Sequence, residues 1–392
     1  MAEVEADNPE RIWQKAAAPI IAAGILPFPP SDTFISILKA YLTPDEAAFI
    51  GKAFKIKQSQ TMEQLLKSTK GMAEADIVAR CESLARKGFM FNQPNSSGTM
   101  VYRLLPLVVI GVFEYTFMHK DPPAGMDKAT LAGLAKLYEK LLGDLRDSIQ
   151  NAYDSVLPIF QKQPPVDRTV PLLTTEDGKE IKIEQPVGEQ VGEQVLIAKN
   201  VADIIKKFDD IAVGNCFCRA YRKMLGHDCV IGAPMEVCMT FGKSARHVIQ
   251  QGFARRITKD EALAVLKASE DAGLVHKAFH NKSDVKEIEN SICNCCPDCC
   301  DTFQFWRSGS APMVNYATYL AKIIVDGCTG CGTCETKCPV GAARVDDGKA
   351  RVQDDLCIGC GVCAHFCPEN TISLLEKPRV VFQPPPRLAT KN

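Results

Sequence analysis

Two segments near the C-terminus, "CTGCGTCETKCP" and "CIGCGVCAHFCP", repeat one cysteine spacing, CxxCxxCxxxCP. The first places Cys328, Cys331, Cys334 and Cys338; the second places Cys357, Cys360, Cys363 and Cys367. Separations this short let three thiolates wrap a cube from one tight loop, and Gly330, Gly332, Gly359 and Gly361 permit the backbone angles that such a loop needs. Pro339 and Pro368 then turn the chain away. Structural zinc usually closes with four ligands in two spaced pairs, so two triplet-plus-one runs fit it poorly.

Residues 320–377 thereby resemble the bacterial two-cluster ferredoxin, in which the fourth cysteine of each run crosses to the other cluster. The resemblance implies one [4Fe-4S] cluster on Cys328, Cys331, Cys334 and Cys367, and a second on Cys357, Cys360, Cys363 and Cys338. A cubane held by four thiolates has no open coordination position and passes single electrons. Each such cluster adds about −2, which takes the formal net charge from −1 to roughly −5 and favours basic partner surfaces.

The chain has 392 residues, too many for one domain of common size, and 18 cysteines. Its N-terminus, "MAEVEADNPERIWQK", lacks a basic region followed by an apolar core, so no secretory signal is expected and the expected location is cytoplasmic. That compartment keeps thiols reduced, which favours metal or catalytic use of the cysteines over disulfides. The longest apolar run, Leu104 to Met118, is shorter than the ~20 residues of a membrane span and contains Glu114, so it is expected to be core. Acidic and basic residues balance at 47 and 46, which gives no overall attraction to nucleic acid or anionic membranes.

Nine further cysteines occupy the centre of the chain: Cys216, Cys218, Cys229, Cys238, Cys293, Cys295, Cys296, Cys299 and Cys300. A CxC pair in an extended segment points both sulfurs to one side, so Cys216 and Cys218, with Cys229 and Cys238, suit a cubane. Zinc on the same four ligands, or with His227 replacing one, and uncoordinated thiols are the alternatives. Arg219, Arg222 and Lys223 would offset the negative charge of a cluster there. "SICNCCPDCC" puts five cysteines in ten positions. Vicinal pairs reach disulfide geometry only with strain, which leaves cluster ligation or a thiol redox centre. Nine cysteines against eight for two cubanes leave one spare, so a mixed use is open. His276 and His280 could be ligands or proton donors, although a lone histidine at a helix end is more often structural. Residues 195–305 resemble cysteine-rich chains of anaerobes described only generically as iron–sulfur proteins, which implies anaerobic electron transfer; the central cysteines are expected to hold one or two further clusters.

The capping-box pairs Thr43/Glu46 and Thr61/Gln64 predict two short helices, and "EADIVARCESLARKG" a third that buries Ile77, Val78, Cys81, Leu84 and Ala85 and stops at Gly88. Two short strands follow to Leu104. Three helices and a hairpin resemble a winged helix, but the third helix bears Glu74, Arg80, Glu82, Arg86 and Lys87 on its solvent face, a mixed charge unsuited to phosphate contact. Cys81 is expected to pack as a small apolar residue. An apolar stripe through Leu131, Leu134, Tyr138, Leu141, Leu145 and Ile149 predicts a long amphipathic arm. A hairpin turning at Asp177–Gly178, a linker at Val187–Gln194, a helix over 201–213 and a capped helix from Thr258 to Gly273 complete the pattern.

The expected architecture is α+β and multidomain: a winged-helix-like docking domain (1–125), a long helical arm (126–165), hairpin and linker (166–200), a cysteine-rich redox module (201–310) and a two-cluster ferredoxin domain (311–392). The expected function is single-electron relay, as a protein or subunit of an anaerobic oxidoreductase complex. The partners would be redox proteins, such as a flavoprotein or another iron–sulfur subunit, and not nucleic acid. The alternatives are a reductase with a cluster or dithiol centre at 293–300, and a redox-sensing winged-helix regulator.

Overall fold

The computed structural model describes residues 9–24, 26, 28–54, 59–123, 125–162, 167–185, 200–280, 289–311 and 315–388; the expected linker at 187–194 lies outside them. Helix and sheet are mixed, consistent with an α+β class. Two compact units are drawn from discontinuous stretches: Met1–Leu145, Ala220–His227 and His247–Arg255 in one, Arg146–Arg219, Asp228–Arg246 and Arg256–Asn392 in the other.

In the first unit, helices α1 (Pro9–Ala23), α2 (Asp32–Tyr41), α3 (Pro44–Ala53), α4 (Met62–Ser68) and α5 (Glu74–Arg86) precede strands β1 (Met90–Pro94) and β2 (Met100–Leu104). Both expected capping boxes form: Thr43 with Glu46 starts α3, and Thr61 with Gln64 starts α4. Gly88 ends the α5 region in the left-handed conformation, and the face of Ile77, Cys81, Leu84 and Ala85 is buried. β1 and β2 pair antiparallel, and Gln60 bridges to Tyr102 beside them. Most of the apolar run to Met118 is core, as expected, with Ile110 exposed, and it enters α6 (Val112–Met118). There the Glu114 carboxylate accepts hydrogen bonds from the Val109 and Gly111 amides. All six residues of the long stripe are buried along α7 (Lys128–Asn151), which a break at Ala152 separates from α8 (Tyr153–Phe160). No helix among the described residues is long and apolar enough to cross a membrane.

The remaining elements are β3 (Asp167–Val170), β4 (Ile183–Glu184), α9 (Val201–Lys206), β5 (Ile211–Asn215), α10 (Phe217–Met224), β6 (Glu236–Phe241), α11 (Gly242–Gln250), β7 (Arg255–Arg256), α12 (Lys259–Asp271), β8 (Val275–His280), β9 (Glu289–Cys295), α13 (Asp301–Arg307), β10 (Asn315–Ile323), α14 (Thr333–Lys337), β11 (Ala343–Asp346), β12 (Lys349–Val352), α15 (Val362–His365) and β13 (Ile372–Val381). Among the described residues, nine strands form one sheet in the order β4-β13-β10-β3-β8-β9-β6-β5-β7. The strands flanking the C-terminal cysteine runs, β10 and β13, therefore share a sheet with the strands of the central cysteines.

Alternation along these strands separates two chemistries. Val170, Ala278, Ile292, Met239 and Val213 point to one face and pack under Ile204, Ile205, Ala262 and Leu266 of α9 and α12. The register Lys277↔Cys293, Val275↔Cys295 and Met239↔Ile292 puts Cys293, Cys295, Lys277 and Cys238 on the opposite face. The expected box of Thr258 and Glu261 caps α12.

Three expectations need correction. The helix expected over 201–213 stops at Lys206, and the β-branched Ile211 and Val213 enter β5. The expected hairpin forms only around its turn at Asp177–Gly178, where Thr174 bridges to Glu180 and Ile181 N donates to the Leu173 carbonyl; farther out, β3 and β4 pair with other strands of the sheet. Cys216 and Cys218 do not share an extended segment, because β5 ends at Asn215 and α10 begins at Phe217.

Candidate metal centres

Two cavities open beside β10, each with about 330–340 Å³ of empty space, part of it open to solvent. Cys328, Cys331, Cys334 and Cys367 line one; Cys338, Cys357, Cys360 and Cys363 line the other. Each cavity therefore takes three cysteines from one run and the last cysteine of the other. The first set is the more accessible, with Cys331 exposed, whereas Cys357, Cys360 and Cys363 are buried.

The chain around these cavities suits iron–sulfur cubes. Amides point at sulfur: Ala342 donates to Cys338 Sγ at 3.1 Å and Ala350 to Cys328 Sγ at 3.4 Å. One cation leans on the opening cysteine of each run, with Lys349 Nζ donating to the Cys328 carbonyl at 2.6 Å and Arg379 donating to that of Cys357. Gly330 and Gly359 sit at positive φ, and a Cβ on them would lie 2.2 Å from Gly348 O and 2.0 Å from Tyr319 O. Only glycine fits these positions. Burial pushes the thiols of Cys357, Cys360 and Cys363 up, so these residues would release protons on ligating metal.

Residues 320–369 match the family model of the 4Fe-4S dicluster domain. That span contains all eight of these cysteines. The C-terminal region is iron–sulfur and ferredoxin-like, and together with the clustered cysteines it supports a role in electron transfer. No curated protein and no solved structure matches the chain.

Beyond the ferredoxin-like region, the central cysteines gather into one nest. Cys216 precedes α10, and its sulfur accepts the Arg219 amide and a hydrogen bond from Cys218. Thiol contacts then run from Cys218 to Cys300, Cys300 to Cys295, Cys295 to Cys293 and Cys293 to Cys238. A second group joins Cys229 to Cys296 at 3.6 Å and Cys296 to Cys299. All nine cysteines are free thiols. Cys360 of the ferredoxin-like region belongs to the same apolar core as Cys216, Cys218, Cys295, Cys296, Cys299 and Cys300.

Within the nest, hydrogen-bonded thiols shift in opposite directions. Its hydrogen bond from Cys299, with the Cys299 and Asp298 amides, brings Cys296 down to about 6, and Cys299 is pushed up in return. Cys218 and Cys295 hold Cys300 well below the usual thiol range, helped by Thr302 and the Lys277 charge; Cys218 and Arg219 lower Cys216. A lowered thiol pKa favours the thiolate, the form that ligates metal.

Two groups have no counterpart in the sequence expectations. Lys277 and Asp167 are fully buried and 3.3 Å apart, with the lysine beside Cys295 and Cys300. A lysine inside the otherwise buried strand "VHKAFH" is the signal that could have found this pair. Asp298, embedded between cysteines, joins Cys229, Cys296 and Cys299, with all four ligand atoms within 4.8 Å of one another. Of the candidate histidines, His227 is exposed, and His280 is buried near Asp167. His276 lies on the sheet face opposite the sulfurs and pairs with Asn294 at 2.6 Å. Arg219 is buried beside Cys216, Cys229 and Cys299, whereas Arg222 lies 3.8 Å from Glu139.

Proposed function

We propose that the chain relays single electrons within an anaerobic oxidoreductase complex, through two C-terminal [4Fe-4S] clusters and at least one further cluster in the central nest. The observation that carries this reading is the pair of cavities lined by crossed sets of four cysteines. Cubanes held there supply reversible one-electron chemistry. The exposed Cys331 favours exchange with a partner at the first set, and the core shared by Cys360 and Cys295 favours onward passage from the second set to the nest. The partners in this reading are a flavoprotein or another iron–sulfur subunit with a basic docking face, since the bound clusters leave the chain acidic. Residues 1–125 would serve as a winged-helix-like docking domain, a role consistent with the order of α3, α4, α5, β1 and β2. The remaining proposed parts are the arm at 126–165, hairpin and linker at 166–200, the redox module at 201–310 and the ferredoxin domain at 311–392.

A thiol reaction centre at residues 293–300 is the weaker reading, because Cys295, Cys296, Cys299 and Cys300 are each at most 5% exposed and a substrate must reach them. Iron and acid-labile sulfide per chain, with EPR of the reduced protein under anaerobic conditions, test the proposal. The expected result is about 8 of each from the C-terminal sets and about 4 more from the nest. A count confined to about 8 removes the nest cluster, and iron without acid-labile sulfide overturns the whole reading.

A further inference from the structure

We propose that Cys229, Cys296, Asp298 and Cys299 form a mononuclear site for a thiophilic divalent cation, zinc first, distinct from any iron–sulfur cluster in the nest. The four ligand atoms lie within 4.8 Å of one another, and Cys229 Sγ is 3.6 Å from Cys296 Sγ. A tetrahedral site with zinc–sulfur bonds of about 2.3 Å has sulfur–sulfur edges of about 3.8 Å, close to the Cys229–Cys296 separation. A cubane makes the opposite demand. Each of its irons carries its own outward thiolate, so four ligand sulfurs must be spread around the cube, whereas a single ion draws its ligands together on one point. The C-terminal sets meet that demand around their cavities; this quartet closes on a point.

The carboxylate is held for the task. Asp298 Oδ2 accepts the Val230 amide at 3.0 Å, the Asp298 amide donates to Cys296 Sγ at 3.4 Å, and Gln304 donates to the Asp298 carbonyl. Three thiolates and a carboxylate around a dication leave negative charge, and the buried Arg219 guanidinium lies beside Cys229 and Cys299 to offset it. The quartet also has a mechanical use. Cys229 is followed by Val230 and Ile231, which are 82% and 43% exposed, so an ion would fasten this open loop to the turn at Pro297–Cys299. The site does not depend on how the C-terminal cysteines are used. It limits a nest cluster to Cys216, Cys218, Cys238, Cys293, Cys295 and Cys300.

The test uses the full chain, purified anaerobically. Metal and sulfide analysis is expected to find about one equivalent of zinc, or of iron in excess of sulfide, per chain. Replacing that ion with Co²⁺ is expected to give the visible absorption of a tetrahedral thiolate site. Cys229→Ser and Asp298→Ala should lose the equivalent while the reduced EPR signal of the C-terminal clusters and the sulfide count stay unchanged. Asp298→Cys should keep the ion and strengthen the sulfur-to-cobalt charge-transfer bands, a readout independent of any folding loss in the other variants. Loss of iron and sulfide together in Cys229→Ser would assign the quartet to a cluster and overturn the proposal. So would a full chain with no sulfide-independent metal.

Discussion

Glu46 illustrates how a residue chosen for a local task comes to hold distant parts. Its carboxylate closes the capping box of α3 through the Thr43 amide, then accepts Ser83 Oγ at 2.7 Å and Lys87 Nζ at 2.7 Å across 37 and 41 positions of sequence. Burial alone would raise its pKa, yet the Lys87, Ser83 and Thr43 bonds hold it below the ordinary carboxylate value. The depressed folded value fixes the sign of the linkage. The stabilisation is complete above the unfolded pKa of about 4.3 and is lost as pH falls through the folded value. Glu46→Gln is expected to cost roughly 1–3 kcal/mol at neutral pH, and the gap to wild type should narrow in acid denaturant melts. An equal gap at all pH values would mean that the ion pair contributes nothing. The spacing Thr43-x-x-Glu46 announced the box, but nothing local announced Ser83 and Lys87.

At the scale of the element, legibility followed the distance over which a signal acts. The three capping boxes, the stop at Gly88 and the buried stripe of α7 were readable because each depends on neighbours within a turn or two. The cysteine runs were readable because their spacing reflects a cube's geometry. The CxC pair was misread as extended: Cys216 and Cys218 do meet, but through a helix start where Cys216 takes the Arg219 amide, a geometry with the same two-residue spacing. Asp167 and Lys277 come from strands 110 positions apart, so neither residue signalled the other. The C-terminal loops also depend on an element outside their own run, since the second loop presses Gly359 against the Tyr319 carbonyl of β10. Gly359→Ala is therefore expected to remove the proposed cluster at Cys338, Cys357, Cys360 and Cys363. Iron and sulfide should fall by about 4 each with the other C-terminal signal retained. An undiminished count would show that β10 can yield.

At the scale of the molecule, the nine-stranded sheet decides what can form and when. β3 lies between β8 and β10, with Asp167 opposite Phe279 on one side and Asn315 on the other. A chain ending at residue 311 is expected to keep its first unit but to leave β3 paired on one side only, to β8. Its nest should then fail to retain metal, measured as iron per chain; full retention would show that the nest is self-sufficient. The same arrangement sets a clock on biogenesis. At about 5–20 residues per second, roughly 7–30 s of synthesis separate Asp167 from its parallel neighbour β10, and Cys216 to Cys300 emerge from the ribosome inside that interval. Until β10 arrives, their thiols have no finished wall, so a newborn chain is best completed where oxidants and stray metals are scarce.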